Sequence, residues 1–341
     1  SHCTLPMMLS IWYIFLIIPI GIFYIFLSYL FSIDWKNSYQ EVHSKYPHFS
    51  ESQSLQFVIA NIKINDLIFR LRILNPNASG DTIILLHGFP QTSISWEPVF
   101  DSFKNSDYRV IAYDQRGYSP LARPKSTSEY TTKFLIDDLL GVADALGAKK
   151  FHLIGHDWGA AIGWSTVMST PERILSWTAL SIPHPLAFFY AVRTNKKQRK
   201  KSRYILFLQI PWIPEFLLLS HRSFFLKKWI IKVMPTHHQK EYLSLYSEFG
   251  AMNSVLKYYR ALGKSEKFDY QAEIVVPTLF VWGNKDPAVS RYAVETQKKF
   301  IRGDFEEIEL DAGHWLLETR AEKIVKPIKN HIEKSSSLLN P

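Results

Sequence analysis

The chain opens with an apolar block unlike anything after it. From Leu9 to Phe31, 23 residues pass without an Asp, Glu, Lys, Arg or His. A helix needs about 20 such residues to cross a hydrocarbon core roughly 30 Å thick. Trp12 and Tyr13 near one end, and Tyr29 and Trp35 near the other, fall where an interfacial aromatic belt sits. A cleaved signal peptide has a basic start, a shorter apolar centre and small residues at the cut; this run has none of these. It is therefore expected to be a single-pass transmembrane helix. Lys36 and Lys45 follow it and only His2 precedes it, so the positive-inside bias places the rest of the chain in the cytoplasm.

After a polar connector (32–53), the pattern becomes one of short β-rich runs. They are Leu55–Ala60, Leu67–Leu74, Thr82–Leu86, Tyr108–Tyr113, Phe151–Ile154, Leu175–Leu180, Thr278–Trp282 and Phe305–Leu310. Several are almost continuously apolar, as strands covered on both faces are. Helical patterns separate the later ones. Thr132–Leu146 places Phe134, Leu135, Leu139, Leu140, Val142 and Leu146 at helical spacing and stops at Gly147. This alternation predicts an α/β fold with a mostly parallel sheet and helices on both faces.

From Pro183 to Lys267 no strand-like run occurs. Helical stretches replace them at Tyr204–Gln209, Trp212–Ser220, Phe224–Met234 and Lys240–Leu262. The expected organisation is a membrane segment (1–31), the connector, a core domain in two parts (54–182 and 268–335), a helical cap (183–267) inserted after the sixth strand, and a short tail (336–341).

Composition narrows this picture. The 341 residues include 40 Lys and Arg against 31 Asp and Glu, a net charge of +9, and one cysteine. A single Cys3 excludes an intrachain disulfide framework and a cysteine zinc cage. No metal-ligand cluster or phosphate-binding glycine loop is visible, so no cofactor is expected. The basic run at Lys196, Lys197, Arg199, Lys200, Lys201 and Arg203 lies beside the apolar stretch Tyr204–Leu219. Its default reading is a solvated loop; the alternative is contact with anionic headgroups, at about 1 kcal/mol per basic residue. Nucleic-acid binding is not indicated, since no recognition motif accompanies the charge.

The chemistry lies at the ends of the strands. Gly155-His156-Asp157-Trp158-Gly159 follows the fifth strand and opens a helix over Ala160–Met168. It has the small–x–nucleophile–x–small pattern of a nucleophile elbow, with Asp in the place of Ser. His87-Gly88-Phe89-Pro90 follows the third strand, where an oxyanion-hole loop belongs; the backbone N–H groups of Phe89 and Trp158 are the candidate donors. His87, Pro90 and the Trp158 ring are expected to line the substrate site. Asp286 follows the seventh strand and His314 the eighth, giving the order nucleophile, acid, histidine of the α/β-hydrolase arrangement. An Asp nucleophile attacks a carbon electrophile by displacement and becomes an alkyl ester. His314, oriented by Asp286, would then activate water against that ester. Epoxides and alkyl halides suit this scheme.

HGFP, GHDWG, Asp114–Pro120 (DQRGYSP) and Gly313-His314-Trp315 together resemble the epoxide hydrolases of the α/β-hydrolase fold, over about Leu55–His331. The resemblance implies a lipophilic epoxide as substrate and a vicinal diol as product. It also implies two cap tyrosines that donate to the epoxide oxygen. By position these are Tyr259 in Lys-Tyr-Tyr-Arg and Tyr204 in Tyr-Ile-Leu-Phe-Leu-Gln-Ile-Pro, with Tyr258 competing for the place of Tyr259. The alternative is a haloalkane dehalogenase, which uses the same Asp–His–acid machinery but holds a halide.

Overall fold

The computed structural model describes residues 57–264 and 273–339. The expected membrane segment, the connector and the junction after the cap lie outside them. No helix among the described residues is long and apolar enough to cross a membrane.

Eight strands form one sheet in the order β1-β2-β4-β3-β5-β6-β7-β8. They span Val58–Ile64, Leu67–Leu74, Thr82–Leu86, Arg109–Tyr113, Phe151–His156, Ile174–Leu180, Thr278–Gly283 and Phe305–Leu310. β1 and β2 form an antiparallel hairpin, and β2 also runs antiparallel to β4. All remaining pairings are parallel. Burial explains the sequence pattern. The central strands β3, β5 and β7 are buried along their whole length, whereas the edge strands β1 and β8 mix exposed and half-buried positions.

Helices cover both faces. On one face, α1 (Glu97–Phe103) and the long C-terminal helix, α12 (Ala321–Leu339), pack Phe100, Phe103, Ile324, Ile328 and Ile332 against Ile83, Leu85 and Val281. The three isoleucines recur every four residues and are fully buried, each contributing at most about 1.5–3 kcal/mol. α12 runs through the expected tail at 336. Its Ser336 meets His152 at 3.0 Å and donates to Asp81 at 3.1 Å, which pins the last turns to the sheet. On the other face lie α2 (Thr132–Ala145) and α3 (Trp158–Ser169), contributing Leu135, Leu139, Ile162, Trp164 and Val167.

The segment between β6 and β7 is helical: α4 (Pro185–Thr194), α5 (Lys196–Lys201), α6 (Arg203–Gln209), α7 (Ile213–Phe225), α8 (Thr236–Ser247) and α9 (Ala251–Arg260). Two expectations change here. The run Lys240–Leu262 is two helices, because Gly250 adopts φ +79° between them. The basic run is not a loop: Asn195 accepts from the Gln198 N–H at 3.0 Å and caps α5.

Polar contacts seat this helical layer on the core. Glu241 accepts from Arg72 at 2.6 Å and from Thr92. Arg123 pairs with Glu248 at 2.6 Å, and Lys257 donates to the Pro124 carbonyl at 2.8 Å. Glu97 on α1 receives both His237 (2.6 Å) and His238 (3.1 Å) from α8. These bonds hold its carboxyl down at about 2, with burial opposing.

A close helix–sheet contact lies at Gly163 on α3, where an added Cβ would sit 2.0 Å from the fully buried Trp177 ring. Gly163→Ala should therefore lower stability by about 1–3 kcal/mol through overpacking. Urea unfolding measures this, and a wild-type midpoint would show that the ring can yield.

Candidate active site

Asp157 stands on the sharp turn between β5 and α3, with φ +52° and ψ −118°. The glycines around it permit this turn. A Cβ on Gly155 would lie 2.3 Å from the Gly159 carbonyl oxygen, and one on Gly159 would lie 2.0 Å from that of Leu86. Gly88, on the loop after β3, is equally constrained: its Cβ would fall 2.4 Å from Asp157 Cβ. Two backbone segments thus meet with no side chain between them.

That approach delivers a hydrogen bond. The Phe89 N–H donates to Asp157 Oδ1 at 2.9 Å. Asp157 Oδ2 lies 3.3 Å from His314 Nε2, and His314 Nδ1 lies 2.7 Å from Asp286 Oδ2. Asp286 Oδ1 accepts from the Ala288 and Val289 N–H groups at 2.7 and 3.2 Å. The three side chains come from loops after β5, β7 and β8 and form one line. Trp158 opens α3, so its N–H belongs to the first turn, where helix donors have no intrahelical partner.

Burial and charge act against each other along this line. Burial pushes the Asp157 carboxyl up, but the His314 hydrogen bond and charge outweigh it and hold the carboxyl below its usual value. Burial likewise pushes His314 down, yet the anions of Asp286 and Asp157 on its two sides raise it well above 6.5.

The tyrosines separate clearly. Tyr259 is buried with its ring edge-on to Trp158 (5.1 Å), Phe89 (5.8 Å) and Tyr204 (6.3 Å). Burial, then the Asp157 charge, pushes both Tyr259 and Tyr204 up, so both hydroxyls keep their protons at neutral pH. Tyr204 retains 37% of its surface, so solvent screens part of that push. Tyr258 also touches Trp158 edge-on (5.3 Å), but its hydroxyl points elsewhere: it donates to the Arg116 carbonyl at 2.8 Å, and its ring packs on Tyr118 and Tyr130.

His87 differs from expectation. It is fully buried rather than facing a substrate. Its Nδ1 meets the Gly88 carbonyl at 3.0 Å, and its Nε2 accepts from the Gln115 N–H at 3.1 Å. Gln115 Nε2 donates in turn to the His87 carbonyl at 2.5 Å. His87 therefore fixes the loop that presents Phe89. Pro90 is also buried, and its carbonyl accepts from Tyr246 at 3.0 Å. The DQRGYSP stretch holds this loop from below: Asp114 accepts from the Ser93 N–H at 2.8 Å and from Arg70, and Arg116 pairs with Asp138 at 2.6 Å.

Sequence reasoning missed a second layer. His156 is fully buried; its Nε2 lies 3.0 Å from the His314 carbonyl and its Nδ1 3.0 Å from Gln91 Oε1. Burial and the nearby His314 charge push it down to about 4, so it is neutral. Ser181 donates to the same His314 carbonyl at 3.0 Å. From the helical layer, the buried Gln198 donates to the Ala288 carbonyl at 2.8 Å and accepts from the Ser290 N–H at 2.7 Å, while Lys201 donates to the Asp286 carbonyl. The only signal for His156 was its place inside the elbow motif. Gln198 gave none.

Comparison with known proteins follows the same outline. The family profile described as alpha/beta hydrolase fold matches residues 81–321. Epoxide hydrolase 4 of Homo sapiens is 31% identical over 281 residues, covering 78% of this chain and 76% of that protein. Epoxide hydrolase 3 of Xenopus tropicalis is 32% identical, covering 75% and 73%. Among solved structures, a variant of an epoxide hydrolase from Bacillus megaterium, complexed with its diol product, superposes with a TM-score of 0.73. It has 24% identity and covers 80% of this chain and 100% of that one, a likeness of fold.

The carboxylate–imidazole–carboxylate line has a direct electrostatic consequence. Asp157→Asn removes one of the two anions that raise His314, so the His314 pKa should fall; imidazole NMR titration reads it. In the wild type, the folded chain holds this proton more tightly than the unfolded one. The resulting stabilisation is complete below the unfolded value near 6.5 and is lost as pH rises through the raised folded value. An unchanged His314 titration in the variant would remove Asp157 from the account.

Proposed function

The chain belongs to the epoxide hydrolases of the α/β-hydrolase family, and from that premise we propose that it hydrolyses a lipophilic epoxide to a vicinal diol through an ester on Asp157. The observation that carries this is a carboxylate at the elbow, with Oδ1 on the Phe89 N–H and Oδ2 facing His314.

In the first step Oδ2 attacks an epoxide carbon. A carbon–oxygen bond forms, the epoxide C–O bond breaks, and the leaving oxygen takes a proton from Tyr259 or Tyr204. Burial keeps both hydroxyls protonated as donors. Alkylation also cancels the negative charge on Asp157. One of the two anions that hold His314 protonated is then gone, its pKa falls, its proton passes to the tyrosinate left by the first step, and the imidazole becomes a base. His314 next draws a proton from water, and the hydroxide attacks the ester carbon. The negative charge collects on Oδ1, where the Phe89 N–H already points; one such donor contributes about 3–4 kcal/mol to a barrier of this kind. Collapse releases the diol. One water is consumed, and its hydrogens end on the two hydroxyls. Asp286 holds the ring and balances its charge.

The pair Tyr204 and Tyr259, meeting Phe89 and Trp158, favours an epoxide over an alkyl halide; Trp158 itself suits either. Phe89 offers only an apolar ring at a position where a halide site would use a polar one.

Replacing Asp157 with Ala should abolish diol formation. His314→Gln should instead accumulate the ester, seen as a protein mass increase equal to the substrate. Tyr259→Phe should lower kcat about 10²-fold or more, whereas Tyr258→Phe should cost about 1 kcal/mol of stability and leave kcat near wild type. Multi-turnover hydrolysis by the Asp157 variant would sink the mechanism, and halide release without epoxide opening would favour the dehalogenase.

The proposal includes a bilayer tether through residues 9–31, with the hydrolase on the cytoplasmic side. Its support is the uncharged run and the two lysines after it. Alkaline carbonate washing should leave the full chain in the membrane pellet, and its release into the supernatant would end the tether.

A further inference from the structure

The helical layer exposes apolar side chains where α6 turns into α7. Trp212 is 79% exposed and Leu206 is 67% exposed; Phe207, Ile210, Ile213, Leu217 and Phe224 are also exposed. Soluble surfaces scatter single apolar residues, but six exposed apolar residues within the twelve from Leu206 to Leu217 mark an interaction site. The backbone adds a second observation. Trp212 has φ +63°, a conformation that costs a non-glycine residue about 1 kcal/mol or more, and it holds the indole outward between Pro211 and Pro214.

The surrounding charge has one sign. Between residues 196 and 232 the chain has ten Lys or Arg and one acid, a net +9 equal to that of the whole chain. The one acid, Glu215, is buried and bonded to Arg260 and Asn253. Lys196, Lys197, Arg199, Lys200 and Arg203 are exposed before the apolar tip in the chain, and Lys227, Lys228 and Lys232 are exposed after α7. An aromatic and aliphatic tip flanked by lysines matches the layering of a lipid surface. Its rings suit the interface, and its cations suit anionic headgroups at about 1 kcal/mol each.

We propose that the α6–α7 tip, centred on Leu206, Trp212 and Ile213, inserts into the surface of an anionic lipid bilayer. α6 also carries Tyr204 toward Tyr259, so the inserted helix borders the site itself. An apolar epoxide dissolved in lipid would then reach the site without crossing water. α5, which leads into the tip, is fastened to the Asp286 loop through Gln198 and Lys201. The bilayer would therefore hold the body of the enzyme in one orientation, beyond what attachment at residues 9–31 alone could do.

The test uses the full chain with Cys3→Ser and a single Trp212→Cys carrying a polarity-sensitive fluorophore, reconstituted in phosphatidylcholine vesicles containing phosphatidylserine. Its emission should shift to the blue and be quenched severalfold by spin-labelled lipid. A probe at Glu172→Cys, exposed elsewhere on the core, should remain water-like. Leu206→Glu with Trp212→Glu should raise KM severalfold for a membrane-dissolved epoxide and leave kcat for a water-soluble epoxide unchanged. A water-like probe at 212 overturns the proposal. So does a blue-shifted probe that lipid quenchers do not reach, which would place residues 9–31 or a second copy on the tip. Absence of epoxide hydrolysis in the unlabelled wild type would instead strike the proposed chemistry and leave the quenching result standing.

Discussion

The site depends on one close approach between two backbones. The chain leaving β3 and the elbow after β5 come near enough for the Phe89 N–H to reach the Asp157 carboxylate. Gly88, Gly155 and Gly159 each stand where a Cβ would overlap a neighbouring atom. The parallel pairing of β3 with β5 sets the two strand ends side by side, and the glycines let the loops close on each other. Asp286 and His314 then arrive from the ends of β7 and β8 on the same edge of the sheet.

The second constraint is electrostatic. Two buried carboxylates flank one imidazole, an arrangement stable only while the ring is charged or one carboxylate is neutral. In the proposed reaction, forming an ester on Asp157 provides that neutral state. On that proposal the resting site and the alkylated site prefer opposite protonation states of His314, which would couple the covalent step to the appearance of a base. His156, Ser181 and the β7–α10 loop, with α10 at Arg291–Gln297, hold the ring and its acid in place meanwhile. Gln198 and Lys201 extend that support into the helical layer, so the residues above the site also brace its far end.

Much of the fold was legible in the sequence because its signals are local. Buried strands show as continuous apolar runs, and seven of the eight lie within two residues of their expected bounds at both ends; the exception is the half-exposed edge strand β1. The elbow was legible because its glycines answer a steric demand within five residues. Gly250 was also a readable signal, since a glycine within a helical pattern is a candidate break. The basic run and the tail were misjudged for a different reason: α5 and the end of α12 are fixed by Gln198 on Ala288 and by Ser336 on Asp81, partners far away in the chain.

The sequence by itself determined the order of strands and helices, the carboxylate at the elbow, and the acid and histidine that follow it, since these rest on short-range periodicity and spacing. The tertiary structure decided which way the side chains face. It turned Tyr258 onto the Arg116 carbonyl and Tyr259 toward Asp157, moved His87 from the site into its support, and left Trp212 exposed at the turn from α6 into α7. Direction is a property of packing between distant segments: rotating a helix by one residue changes the face it presents by about 100°, and only the assembled neighbours select among those faces.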